Sequence, residues 1–188
     1  MAVSTQLFDL SGQIAVVTGA SKGMGKAMAL ALAEHGSQVV VSSRKLDACE
    51  ETAAEINAAV GADRAIALAC NIGYKEQLQG LVDETRSRLG AIDTLIANAG
   101  VNPFYGPMSE IPDEAFDKTM NSNLRSNHWL CQMVAPDMLA KQRGSIMITA
   151  SVGAFGPSET LGTYNISKMA DIALVRNLAM EWGPKVCV

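Results

Sequence analysis

The chain has 188 residues, 48% of them hydrophobic and 18% charged, with a formal net charge of -4. That length supports one substantial core and excludes two comfortable domains, so residues 1–188 are expected to form a single domain. An acidic balance without any Lys/Arg run excludes a nucleic-acid partner, which requires concentrated positive charge.

In chain order, residues 1–20 carry no basic region ahead of their apolar part, and Asp9 and Gln13 interrupt it, so no secretory signal is expected. Residues 13–18 form a short β-branched apolar run suited to a strand buried on both faces. A glycine turn follows. Residues 24–35, rich in Ala, Leu and Met and ending at Gly36, predict a helix with a glycine at its C-terminal end. Residues 39–41 predict a second buried strand. The alternation continues with a helix over 46–60, a strand over 65–70, a helix over 75–89 and a strand over 94–97. Repeated β-α-β units with right-handed crossovers build a parallel sheet covered by helices on both sides.

A proline-bearing loop over 101–112 breaks the rhythm. Residues 113–142 predict a mostly helical stretch kinked at Pro136, with 121–127 a polar interval where two helical pieces meet. A strand over 145–149 and a helix over 163–182 follow; Gly183-Pro184 stops the helix and a strand begins at 186–188. The 163–182 helix is nearly apolar all round and must be covered on both sides, by loops or, in the favoured reading, by a second subunit of a dimer or tetramer. The longest uniformly apolar run, 27–33, falls far short of the roughly 20 residues that cross a bilayer, so a cytoplasmic protein with no membrane partner is expected. Cys49, Cys70, Cys131 and Cys187 lie far apart without C-x-x-C spacing; reduced core thiols are expected rather than a metal site or disulfides.

Within the last long helix, Tyr164 and Lys168 stand four residues apart and share one face, where the ammonium favours the ionised phenol. That spacing also arises by accident, and its weight comes from three other places. Thr18-Gly19-Ala20-Ser21-Lys22-Gly23-Met24-Gly25 lies between the first strand and first helix, where glycines let a backbone approach a pyrophosphate and a helix N-terminus supplies free amides. The plainer alternative is a turn that only connects the two elements. The second strand ends in Ser42-Ser43-Arg44-Lys45, with no carboxylate for a ribose 2′-hydroxyl; Arg44 could pair with a 2′-phosphate and Lys22 could add to it, unless both are simply solvated cations. Ser151 precedes Tyr164 by thirteen residues.

On these residues the chain resembles the short-chain dehydrogenase/reductase family over essentially its whole length. The family's T-G-x-x-x-G-x-G pattern is matched at Thr18, Gly19, Gly23 and Gly25; its N-N-A-G turn is matched by Ala97-Asn98-Ala99-Gly100 except at the first position; its Ser, Tyr and Lys fall on Ser151, Tyr164 and Lys168. The family asparagine falls on Asn123, with Asn121 and Asn127 as competitors. The resemblance implies a Rossmann-like, doubly wound α/β fold and an NADP(H)-dependent oxidoreductase. It implies that Tyr164 gives a proton to a substrate carbonyl oxygen as hydride arrives, and that Lys168 holds the nicotinamide ribose and supports the tyrosine. Ser151 would hydrogen-bond the substrate oxygen, and Asn123 would position a proton-relaying water. The implied cofactor contacts are Gly19, Ser21, Lys22, Gly23, Met24, Gly25, Ser43, Arg44, Asn71, Ile72, Asn98, Ala99 and Gly100, joined by Tyr164 and Lys168. Asn71 stands where the family usually has an aspartate against the adenine, which should weaken that contact.

Family members continue past the equivalent of Val188, so the domain is expected to be incomplete at its C-terminal end. The loops 102–107 and 152–157, aromatic and small, suggest a small apolar ketone, aldehyde or secondary alcohol as substrate and resemble those of carbonyl and retinal reductases. The alternatives are a 3-oxoacyl reductase of the same family and a nucleotide-binding protein without activity.

Overall fold

A computed structural model describes residues 7–188; the first six residues of the stretch screened for a signal lie outside it. Five strands, β1 (Ile14–Thr18), β2 (Gln38–Ser43), β3 (Ala65–Ala69), β4 (Thr94–Ala97) and β5 (Ser145–Ile148), form one parallel sheet in the order β3-β2-β1-β4-β5. The helices are α1 (Gly23–Glu34), α2 (Leu46–Val60), α3 (Lys75–Arg88), α4 (Asp113–Met120), α5 (Ser126–Lys141) and α6 (Gly162–Trp182). All five residues of β1 are buried, because a central parallel strand is covered on both faces.

Alternate residues of each strand feed two separate cores. Ala15, Val17, Val39 and Val41 pack with Ala29, Ala33, Cys49 and Ile56 of α1 and α2. Val16, Val40, Leu95 and Ile146 pack with Leu78 and Val82 of α3, Leu130 and Val134 of α5, and Leu178 of α6. This is the doubly wound architecture expected from the alternation. Thr18 pairs with Ser42, and Ala97 with Ile148, so the loops leaving β1, β2, β4 and β5 emerge together at one end of the sheet. The order turns back between β1 and β4, where an open α/β sheet leaves a crevice.

Four expectations are corrected. The stretch after 113 is broken not at Pro136, which α5 runs through, but by a π turn at Asn121–Arg125. Pro136 lies on the exposed side of α5, as does Gln132, whose carbonyl loses its helical donor there. Second, α6 is not apolar on its inner face: Thr163, Ser167, Lys168 and Asp171 are buried along with Leu178, while Ile166, Met169 and Met180 face outward. Third, Cys187 is exposed, whereas Cys49, Cys70 and Cys131 are buried. Fourth, the strand expected at 186–188 is reduced to a single parallel bridge between Ser145 and Cys187. No helix among the described residues is long and apolar enough to cross a membrane.

Candidate active site

The turn after β1 is shaped by its glycines. Gly19 has φ 64°, and a Cβ on it would stand 2.9 Å from the Ala99 Cα and 3.0 Å from Asn98 Nδ2. At Gly25 a Cβ would collide with the Gly19 carbonyl. Gly23, φ 58°, has open space around it and is needed for its backbone conformation alone. No side chain caps the N-terminus of α1, which leaves its first amides free to bind something else. The turn is held from two sides: Ala20 N donates to Ser42 O at 3.0 Å, and Thr52 Oγ1 of α2 donates to Ser21 O at 3.1 Å.

Asn98 and Thr18 fasten this turn to the end of β4. Thr18 Oγ1 accepts from the amides of both Asn98 and Ala99 at 3.1 Å, and Asn98 Nδ2 donates to the carbonyls of Thr18 at 3.1 Å and Gly19 at 3.2 Å. The side chain of Asn98 is therefore committed to the fold, leaving Ala99 and Gly100 as the backbone that borders the crevice. Gly100 is where two distant parts of the chain arrive: a Cβ on it would lie 3.4 Å from Asn123 Oδ1 and 3.7 Å from Lys168 Nζ.

Asn123 is fully buried in the π turn, whose extra residue per turn is a common device at functional sites. Its Oδ1 accepts from Val101 N at 2.7 Å, and its Nδ2 donates to Val101 O at 2.9 Å and to Ser167 Oγ at 3.0 Å. Lys168, 4% exposed, donates from Nζ to Thr149 O at 2.7 Å and to Asp171 Oδ2 at 3.0 Å. Tyr164 and Ser151 are half-buried and reachable from solvent. Ser151 Oγ accepts from Gly153 N at 3.1 Å and caps the short helical turn Val152–Phe155, which packs on the first turn of α6 through Asn165 Nδ2 donating to Gly156 O at 3.1 Å. Loop 102–111 closes down on residues 160–164 and leaves a space of only about 10 Å³, room for one water. Val152 and Phe155, on the short turn after Ser151, are exposed.

The remaining predicted contacts are spread along the crevice. Lys22, Met24 and Arg44 are exposed, and Lys22 and Arg44 make no ion pair among the described residues. Ser43 Oγ contacts Cys49 Sγ at 3.2 Å. Ile72 is buried, and Asn71 Oδ1 already accepts from Gly73 N at 3.1 Å.

The family model described as short chain dehydrogenase matches residues 13–188. This chain belongs to the short chain dehydrogenase family. It is 36% identical to a dehydrogenase/reductase SDR family member 4 of Oryctolagus cuniculus, over 94% of this chain and 67% of the relative. A 7α-hydroxysteroid dehydrogenase solved with NADH and 7-oxo glycochenodeoxycholic acid superposes with TM-score 0.89 at 34% identity, covering 96% of this chain and 69% of that one. A metagenomic short-chain oxidoreductase in complex with NADP gives 0.88 at 32%, covering 94% and 80%. The chain spans about two thirds of the length of the curated relatives it matches.

Within this short chain dehydrogenase, sequence reasoning missed Thr18 as a fastener, Asp171, and the role of Asn127 as the partner of Asp171. Asn127 Nδ2 donates to Asn123 O at 2.5 Å and to Asp171 Oδ1 at 2.9 Å. Burial raises the Asp171 carboxyl above the ordinary carboxylate range, opposed by its bond from Asn127 and by the Lys168 charge. The one signal available was an acid three residues after Lys168 in an otherwise apolar stretch.

Proposed function

We propose that the chain is an NADP(H)-linked oxidoreductase interconverting the carbonyl of a small apolar ketone or aldehyde and the corresponding alcohol. The observation that carries this reading is the convergence of Lys168 and Asn123 on Gly100, beside the Gly19 turn. The residues fit a dinucleotide: side chains at Gly19 or Gly25 would fill the cradle, and the uncapped start of α1 offers amides to a pyrophosphate. Gly19, Ser21, Gly23, Met24 and Gly25 would hold that end, Asn71 and Ile72 the adenine, and Ala99, Gly100 and Lys168 the nicotinamide side. When bound, the cofactor supplies or accepts a hydride. Tyr164 gives a proton to the carbonyl oxygen during reduction and takes it back during oxidation. Ser151 donates a hydrogen bond to the same oxygen, where negative charge develops. Lys168 keeps a positive charge on the Tyr164 face of α6, and Asn123 fixes the turn that borders it.

Family members solved with NADH and with NADP leave the cofactor open. NADP(H) is supported by Arg44 and Lys22, exposed and unpaired among the described residues, on the loops leaving β2 and β1, which the bond from Ala20 N to Ser42 O ties together at the ends of these strands. The exposed Val152 and Phe155 support an apolar substrate, and Ile166, Met169 and Met180 on α6 support assembly with a second copy. Three buried thiols without a thiol partner support a cytoplasmic setting. Fluorescence titration with NADPH and NADH, followed by a panel of apolar ketones, tests the reading. NADPH should bind at least about tenfold more tightly and at least one ketone should turn over. Equal affinities would remove the NADP assignment, and an inert panel would remove the carbonyl reductase.

A further inference from the structure

Among the described residues, Asp171 is the one carboxylate buried beside the residues that meet at Gly100, and the roles given above to Tyr164, Lys168, Ser151 and Asn123 do not use it. It is 1% exposed. A buried carboxylate is costly unless it is paired, and an apolar side chain would fill such a position without that cost. Its two oxygens are divided between two donors: Oδ2 takes Lys168 Nζ at 3.0 Å and Oδ1 takes Asn127 Nδ2 at 2.9 Å. Asn127 in turn holds the Asn123 carbonyl, and Lys168 holds the Thr149 carbonyl at the end of β5. One hydrogen-bonded line thus runs from the π turn through α5 to α6 and the sheet, with Asp171 at its centre.

We propose that Asp171 is a positioning residue for the reaction: it fixes the Lys168 ammonium against Gly100 and, as a counter-charge, tempers the positive field that Lys168 exerts along the Tyr164 face of the helix. The proposal rests on the assignment of Tyr164 as proton donor. A lysine bound only to the Thr149 carbonyl would present its whole charge and could swing; with Asp171 it is held from two directions and partly neutralised. The charged or titratable groups facing Asp171 are Lys168 from its own helix and Cys131 from α5. Burial, and then the Asp171 charge, push the Cys131 thiol up to about 12, so it stays neutral over the range of interest. Asn123, Asn127 and Thr149 contribute only neutral groups.

The test compares the wild-type chain, Asp171→Asn and Asp171→Glu. The first readout is the tyrosinate absorbance on alkaline titration, with Tyr164→Phe subtracted to remove Tyr74 and Tyr105. It needs neither cofactor nor turnover. In Asp171→Asn the Tyr164 signal should develop at a pH lower by about half a unit or more. Asp171→Glu, which keeps the charge, should return it towards the wild-type position. An unchanged midpoint in Asp171→Asn, or a move to higher pH, would show that Asp171 only fills space. The second readout is turnover: Asp171→Glu displaces the ammonium, so kcat should fall about tenfold or more with the ketone KM nearly unchanged. If Asp171→Asn does not fold, Asp171→Glu decides by this split, and a wild-type kcat overturns the proposal. If the wild-type chain turns over no ketone, the functional reading fails while the titration still decides the role of Asp171.

Discussion

At the scale of single residues, the glycines of the first turn separate by what surrounds them. Gly23→Ala meets open space and costs only the left-handed conformation, about 1–2 kcal/mol. Gly19→Ala adds a Cβ 2.9 Å from the backbone of Ala99, so the turn itself must shift. Dinucleotide affinity measured by fluorescence should fall at least about tenfold for Gly19→Ala and much less for Gly23→Ala. Arg44→Asp should bring NADPH and NADH affinities together or invert them, because a carboxylate there repels a 2′-phosphate and suits a free hydroxyl; an unchanged ratio would leave Arg44 a solvated cation. The Tyr164, Lys168 and Ser151 pattern was legible because its spacing is fixed by one helix turn and the strand before it. Asp171 was not, because its partners Asn127 and Lys168 meet only after α5 and α6 pack. Sequence spacing alone could not separate Asn123 from its neighbours: Asn123 and Asn127 are both buried, and what distinguishes Asn123 is that its Oδ1 lies beside Gly100.

At the scale of elements, the glycine turn and the end of β4 act as one unit because Thr18 Oγ1 serves two backbone amides. Thr18→Val keeps the volume and removes the acceptor, leaving the Ala99 amide unpaired while the Asn98 amide keeps the Ile96 carbonyl. One such loss costs about 1–3 kcal/mol, so urea unfolding should show a loss of about that size. A loss below about 0.5 kcal/mol would mean that water replaces the hydroxyl. The strands and most helices were legible since apolar runs covered on both faces and glycine-ended helices leave local signals. The inner face of α6 was not: an apolar composition hid a buried Lys168–Asp171 pair, while Ile166, Met169 and Met180 face outward. The polar interval at 121–127 marked the break between helices correctly, while Pro136 misled because it sits on the exposed side of α5, which runs through it.

At the scale of the whole molecule, pH stability follows from two buried thiols. Burial lifts Cys70 from the ordinary 9.0 to about 11 and Cys131 to about 12. Above pH 9 the unfolded chain releases these protons while the folded chain keeps them, so the unfolded state is favoured and stability falls as pH rises towards 11. Thermal unfolding at pH 8, 9 and 10 should show this decline, and Cys131→Ala should flatten it; a slope unchanged by that substitution would place its cause elsewhere. The outward apolar face of α6 bears on assembly, and light scattering of Met180→Lys should show more monomer than wild type if a second copy covers it. All of these effects surround one chemical claim, that Tyr164 is the proton donor of an NADP-linked carbonyl reduction. The most direct measurement is ketone-dependent NADPH oxidation by wild type and Tyr164→Phe, with NADPH affinity determined in parallel. The account predicts that the variant binds NADPH within about threefold of wild type and loses at least about a hundredfold in kcat; wild-type turnover by Tyr164→Phe would contradict it.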